Sequence, residues 1–388
     1  MKNTERILWL DGFKGILCLL IFVHHFLLLF FPAIHYGEAA PSYLKGFDTY
    51  LSQSPLSVIF NGNFMVALFC IISAIVISRS IMDTENREKL AGAVVKRYFR
   101  LMMPVLGVGF ITFIFSNLGM FTNVSVGEAV NSPWAIQYYR DAISFKDFMS
   151  SAFIRTWFYG DNTLSTAYWM LSELFVGSLV CMLLSVIPWK YPKASCVFYI
   201  ILAYVYVDRA DLMLAFILGT FIGWISIYWQ KLFNPYLGAC ALVLGILLGG
   251  YPSGVVPENF YRYIDFMSYV DWHILGAAAT VFGLFCCKFI QKILCSRIFI
   301  WLGKISYSVY LIHILILFSF TTSLYRLLSL YMGYHMAVAI SFVASTAVLI
   351  ATSHIYQKYA EKGYVQLQKE MFKLMENLEN SKENSKEN

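Results

Sequence analysis

Charge is scarce in this sequence. Only 13% of its 388 residues are Asp, Glu, Lys or Arg, about half the share of an ordinary soluble domain. Hydrophobic residues make up 59% and aromatics 18%, so there is too little polar surface to coat a water-soluble globule. The period-2 alternation of a membrane barrel is also missing. Because unpaired backbone groups are not tolerated in lipid, the long apolar runs must be helices. The expected fold is an all-α polytopic membrane bundle. The net charge of +6 forms no basic stripe and lies scattered between apolar runs, which argues for membrane topology and against a nucleic-acid partner. The eight cysteines show no CxxC and no Cys/His ligand spacing, so free thiols are expected, with no metal site and no bound cofactor. No small-x-small cleavage site closely follows the first apolar run, 16–31, and Lys14, His24 and His25 interrupt or end it. It reads as an uncleaved first span.

Runs long enough to cross about 30 Å of hydrocarbon fall near 8–31, 57–79, 101–119, 167–188, 194–207, 211–229, 236–250, 271–290, 305–327 and 336–357, about ten spans, the fifth and seventh being the shortest. With the N-terminus inside, the inner loops and tail hold twenty-one Lys and Arg and the outer loops seven, Lys14 in the first span completing the 29. That bias places both termini in the cytoplasm. Segments 32–56 and 120–166 become outer loops, the second long enough for a lid or an acceptor-binding surface. Residues 1–364 form the membrane domain. Residues 365–388, ending in a repeated Ser-Lys-Glu-Asn, read as a polar cytoplasmic tail.

Ionisable residues inside spans are expensive and therefore functional candidates. Lys14 and His25 are eleven residues apart, which puts them about 20° apart on one helix face and about 16 Å apart along the axis. Asp11, three residues before Lys14, can pair with it. Two readings fit: a functional groove, or a lysine snorkelling to the interface while the histidines hydrogen-bond a neighbouring helix. Glu173 in the fourth span needs a cation or a raised pKa, and fits catalysis or a structural salt bridge. Arg97 and Arg100, before the third span, share a face and suit phosphate oxygens, or anchor the loop to lipid headgroups.

These residues occur in recognisable company. Leu10-Asp11-Gly12-Phe13-Lys14-Gly15 closing on His25, Asn63-Phe64-Met65-Val66-Ala67-Leu68-Phe69 to Ser73, and Lys96-Arg97-Tyr98-Phe99-Arg100-Leu101 closing on Pro104 come first. Tyr168-Trp169-Met170-Leu171-Ser172-Glu173, the weaker Asp208-Arg209-Ala210-Asp211, and Ile305-Ser306-Tyr307-Ser308-Val309-Tyr310-Leu311-Ile312-His313 follow. In this order and spacing the chain resembles the type 3 membrane acyltransferases along most of its length. Lys14 stands where that family more usually has Arg, keeping the charge and losing the bidentate fork. Ala74 replaces a usual Gly and Met170 a usual Ser.

The resemblance implies transfer of an acyl group, acetyl being the expected one, from cytoplasmic acyl-CoA as co-substrate to a hydroxyl. The implied acceptor is a carbohydrate at the outer face of a bacterial inner membrane. It implies His25 as catalytic base with Lys14 and Glu173 as catalytic partners, and Arg97 and Arg100 as the acyl-CoA contacts. Asp11, Trp169, Ser306, Tyr307, Tyr310 and His313 are the supporting residues. Glu173 is the candidate to orient His25. The competing class is a transporter or flippase for a glycan or lipid-linked substrate, whose inverted hydropathy repeat is not visible here. Asn123-Val124-Ser125 matches a glycosylation sequon, read as a chance match.

Overall fold

The computed structural model describes residues 7–82, 90–186, 192–253, 255–256, 258–370 and 373. Of the topological charges, Lys2, Arg6, Arg87, Lys89 and Lys190 lie outside the described residues, as does the tail beyond 373. Among the described residues all regular structure is helical. The long helices are α1 (Leu8–Phe30), α2 (Gly62–Met82), α3 (Leu90–Asn117), α4 (Trp169–Val186) and α5 (Pro192–Tyr206). They continue with α6 (Met213–Tyr228), α7 (Pro235–Gly249), α8 (Tyr269–Cys286), α9 (Arg297–Ile316) and α10 (Tyr334–Tyr356). A π turn carries α9 on to Leu328, and another carries α10 on to Glu370. By length and composition α1, α2, α3, α8, α9 and α10 are long and apolar enough to cross a membrane, while α4 to α7 are apolar but shorter. At 15 residues, α5 and α7 reach about 22 Å, short of the full hydrocarbon thickness. The chain is an all-α integral membrane protein.

Several helices outrun their apolar stretches. α3 begins at Leu90, so Arg97 and Arg100 lie inside a helix and not in a loop before it. The polar extension is held from outside: the Gln368 side chain donates to the Lys96 carbonyl, and the Tyr356 hydroxyl donates to the Pro104 carbonyl at 2.7 Å. The starts of α1, α3 and α9 and the end of α10 thereby gather on one face of the bundle, called the N-terminal face below.

α1 and α9 run parallel in close contact. Gly15 meets Gly303, His25 meets His313, and the Phe30 ring meets Tyr325. The approach depends on glycine: a Cβ on Gly303 would stand 2.2 Å from the Asp11 carbonyl oxygen, and one on Gly15 would stand 2.5 Å from the Gly303 nitrogen. Small residues at such a crossing let two backbones touch where lipid supplies no hydrophobic drive.

The segment expected as a long outer loop, 120–166, folds back into the bundle. Short helices at Phe145–Ser150 and Thr156–Phe158, joined by a π turn, descend along α3. Phe148 packs on Phe113 at 5.4 Å between ring centroids, and further down the Tyr98 hydroxyl donates to the Phe153 carbonyl. From Phe113 to Tyr98 is about 22 Å of helix. Burial of Phe148, Ala152 and Trp157 drives this re-entry. Asn123 is buried and its amide donates to the Ala135 and Tyr138 carbonyls at 2.7 and 2.8 Å; it is a brace for the loop and not an accessible glycan acceptor.

Candidate active site

The α1–α9 contact brings two imidazoles together. His25 lies 3.2 Å from His313, Nδ1 to Nε2, and its Nδ1 also lies 3.0 Å from the Ile21 carbonyl one turn back. His313 Nδ1 lies 2.6 Å from the Tyr310 carbonyl. A carbonyl only accepts, so each Nδ1 carries the proton, an assignment made from the network. His313 Nε2 then holds a lone pair and accepts from the His25 Nδ1–H, which is shared with Ile21. This leaves the lone pair of His25 on Nε2, outside the helix hydrogen bonding. Trp134, from the loop before the re-entrant segment, stacks on the His25 ring at 5.2 Å and 29°. Its loop is seated by the Ser132 hydroxyl donating to the Leu28 carbonyl at 3.0 Å.

The neighbouring His24 is differently placed. Its Nδ1–H donates to the Phe60 carbonyl at 2.8 Å, and its other edge faces Gly62, where a Cβ would stand 2.6 Å from Nε2. The start of α2 covers the nitrogen that is uncommitted in His25. His24 and His35 line a cavity of about 20 Å³, room for about one water. The histidine rings form a chain of contacts, His35 to His24 to His25 to His313. Among the described residues no three of His, Cys, Asp or Glu come together as metal ligands would. All eight cysteines are free thiols.

Toward the N-terminal face the site turns cationic. Lys14 Nζ lies 3.6 Å from Asp11 Oδ1, the pairing anticipated from their spacing. Arg97 lies close to Arg100 and Tyr307, and the Tyr307 hydroxyl donates to the Leu101 carbonyl at 2.7 Å. Arg97 Nε is buried with no hydrogen-bond partner among the described residues. Arg100, exposed on the same helix side, has Glu361 within electrostatic reach. Gly303, beside Gly15, is ten residues before His313, so this cationic level lies about 15 Å below the imidazoles along α9.

The supporting residues from the α4 and α9 motifs meet one another. The Tyr310 hydroxyl donates to the Ala167 carbonyl, and the Tyr168 hydroxyl donates to the Leu311 carbonyl at 3.3 Å. These bonds pin the entry to α4, with Trp169 as its first residue, beside the turn that carries His313. Ser306 donates to the Gly303 carbonyl at 2.9 Å and lies beside Cys18. Glu173 lies near Asp211 and Cys70, while the partners on His25 Nδ1 are Ile21 and His313. The sequence pointed to His25 and His313 separately; their pairing and the Trp134 cover became visible only in three dimensions. A tryptophan in an otherwise polar loop was the available signal for the second.

Searches of curated proteins and of solved structures find no match. A family profile described as an acyltransferase domain matches residues 7–354, a stretch that includes the imidazole pair, the cationic level and every helix joining them. The chain belongs to the acyltransferase 3 family.

Proposed function

We propose that this membrane acyltransferase moves an acyl group, acetyl in the simplest case, from cytoplasmic acyl-CoA to a hydroxyl of an acceptor, a carbohydrate in this reading, presented at the opposite face. The N-terminal face is then the cytoplasmic side of a bacterial inner membrane, with both termini in the cytoplasm. The observation that carries the reading is the placement of His25 Nδ1 against the Ile21 carbonyl and His313 Nε2; the tautomer assigned from these contacts leaves Nε2 to take a proton.

In this reading Arg97 and Arg100 receive the CoA phosphates from the cytoplasm, and Arg97 Nε is buried with no hydrogen-bond partner among the described residues. Such a pair favours phosphate oxygens through charge-assisted bonds. Lys14, paired with Asp11, lines the same entry, and the pantetheine arm runs past it toward His25. At His25 the acceptor hydroxyl gives its proton to Nε2 as its oxygen attacks the thioester carbonyl. The C–S bond then breaks, and the departing CoA sulfur takes the proton back from Nε2, so the imidazole ends neutral. In this scheme His313 orients the ring and its Nε2 supports the transient imidazolium through Nδ1–H. The orienting role assigned to Glu173 from the sequence passes to His313.

The test is direct. Purified protein in detergent, given radiolabelled acetyl-CoA and unesterified cell-surface glycan, should release CoA thiol and place label on the glycan. Release of no thiol at any glycan concentration removes the acyl-transfer reading and returns the buried charges to a transport role.

A further inference from the structure

A wide cleft comes close to the imidazole pair without reaching it. It measures about 560 Å³ and is formed by residues 137–143, Asp147 and residues 161–163, which is room for many waters. It lies at the far end of α3, where the Ser116 hydroxyl donates to the Asp141 carbonyl and the Asn117 amide donates to the Ile143 carbonyl. Tyr138, in its wall, is 6.1 Å from Trp134 between ring centroids, and Trp134 stacks on His25 at 5.2 Å. Phe318, on the π turn after α9, lies 4.9 Å from Trp134 and 6.4 Å from Tyr138. The indole of Trp134, backed by these two rings, stands between the cleft and the imidazole.

The loop that carries Trp134 is held on both sides of that residue. Asn131 turns the chain at φ +47°, a left-handed conformation that asparagine tolerates better than most residues. Ser132, which is buried, donates from its hydroxyl to the Leu28 carbonyl at 3.0 Å and from its backbone N–H to the Gly127 carbonyl at 2.8 Å. Pro133 follows, its φ fixed by the pyrrolidine ring. Beyond the indole, the Asn123 amide donates to the Ala135 and Tyr138 carbonyls at 2.7 and 2.8 Å. A tryptophan near a membrane surface commonly sits at the headgroup level as an anchor. This one is turned inward, onto an ionisable ring one turn before the Leu28 level of α1.

We propose that Trp134 is a shielding residue: it keeps water from the thioester at His25, so that the acyl group passes to a hydroxyl acceptor and not to solvent. The inference rests on the acyl-transfer reading above. A base that takes the proton of an acceptor hydroxyl can also take one from water, and water outnumbers any acceptor. In that side reaction the water oxygen attacks the thioester carbonyl as one of its protons passes to His25 Nε2. The C–S bond then breaks and the sulfur takes the proton back, leaving a free carboxylic acid and CoA thiol. Excluding water from the site suppresses hydrolysis of this kind. The indole does so by covering a face of the imidazole toward the cleft, with Tyr138 and Phe318 behind it.

The experiment uses full-length protein in detergent and radiolabelled acetyl-CoA, with and without unesterified surface glycan, and counts thiol, free acetate and label on the glycan. The wild type should release acetate slowly without glycan and place most of the label on glycan when it is present. Trp134→Ala should raise glycan-free acetate release at least about 10-fold, the upper end of what one aromatic pair holds shut, and lower the share of label reaching the glycan. Trp134→Phe keeps a ring on the imidazole and should restore most of the shielding. Ser132→Ala leaves the indole in place but unties its loop from Leu28. It should raise acetate release about 5-fold, the worth of one hydrogen bond, and it decides the question if Trp134→Ala does not fold. A purely structural role would lower acetate release and transfer together. That joint loss in the folded variants, acetate release unchanged in them, or a wild type that hydrolyses acetyl-CoA as fast without glycan as with it, overturns the shield. A wild type that releases no thiol even with glycan is the separate failure of acyl transfer itself.

Discussion

Replacing Gly303 by alanine adds one methyl group at the point where α1 and α9 touch. The new Cβ would stand 2.2 Å from the Asp11 carbonyl oxygen, whereas ordinary contact begins at 3.4 Å, so the two backbones must part by about 1.2 Å. The obstacle is backbone on both sides, which no rotamer change can relieve. Overpacking of this kind costs about 1–3 kcal/mol, and a shift of about 1 Å at a catalytic pair can cost about 100-fold in rate. Because the contact sets the register of His25 against His313, Gly303→Ala should lower the melting temperature in detergent and reduce acyl transfer by at least about 10-fold. Gly92→Ala is the control. Its added Cβ meets nothing within 4 Å, and it should be neutral or stabilising by up to about 1 kcal/mol through helix propensity. A Gly303→Ala protein as stable and as active as the Gly92→Ala protein would refute the claim that this helix contact assembles the site.

Three further outcomes follow from the same geometry. Replacing both Arg97 and Arg100 by alanine should weaken acyl-CoA binding by about 2–4 kcal/mol, read by equilibrium binding, with added salt mimicking part of the loss; unchanged affinity would return them to topology anchors. Lys14→Arg should retain transfer activity and Lys14→Ala should lose most of it, since the charge that pairs with Asp11 at 3.6 Å is kept only in the first. Ser125, exposed beside the buried Asn123, should react with an impermeant maleimide in intact cells when changed to Cys in a cysteine-free protein, whereas a Cys at Lys373 should not. Labelling at the tail position would reverse the proposed orientation.

The helices were legible because lipid imposes one rule, that backbone polar groups be satisfied within the segment. Hydropathy therefore located each of the long helices to within a few residues at most ends. It failed where a helix continues without being apolar. The first turns of α3 and the extension of α10 are held by specific bonds, such as Gln368 to Lys96, that no window average registers. The re-entrant segment failed for a related reason. Residues 145–158 mix Lys146, Asp147 and Arg155 with Phe148, Trp157 and Phe158, so their mean polarity resembles a loop, while burial on one side of a short helix decides the fold.

The residues of the site were legible individually, by the cost of placing ionisable groups in a membrane. Their partners were not. The spacing of Lys14 and Asp11 on one helix gives their pairing directly, but His25 and His313 are 288 positions apart, and only the parallel packing of α1 on α9 joins them. Glu173 is a carboxylate at a plausible depth, and Asp211 and Cys70 lie within its electrostatic reach.

The adjacent histidines of α1 offer the sharpest comparison. An alcohol gives up its proton poorly at neutral pH, and an imidazole with an uncommitted Nε2 can take it. His25 has that nitrogen free, while in His24 it is covered by Gly62 and Nδ1 is tied to Phe60. The measurement is the rate of transfer from acetyl-CoA to unesterified glycan by His25→Ala and His24→Ala proteins, at equal amounts of folded protein. His25→Ala should lose at least about 100-fold and His24→Ala far less. Equal losses in the two, or an active His25→Ala protein, would contradict the role of His25 as the base.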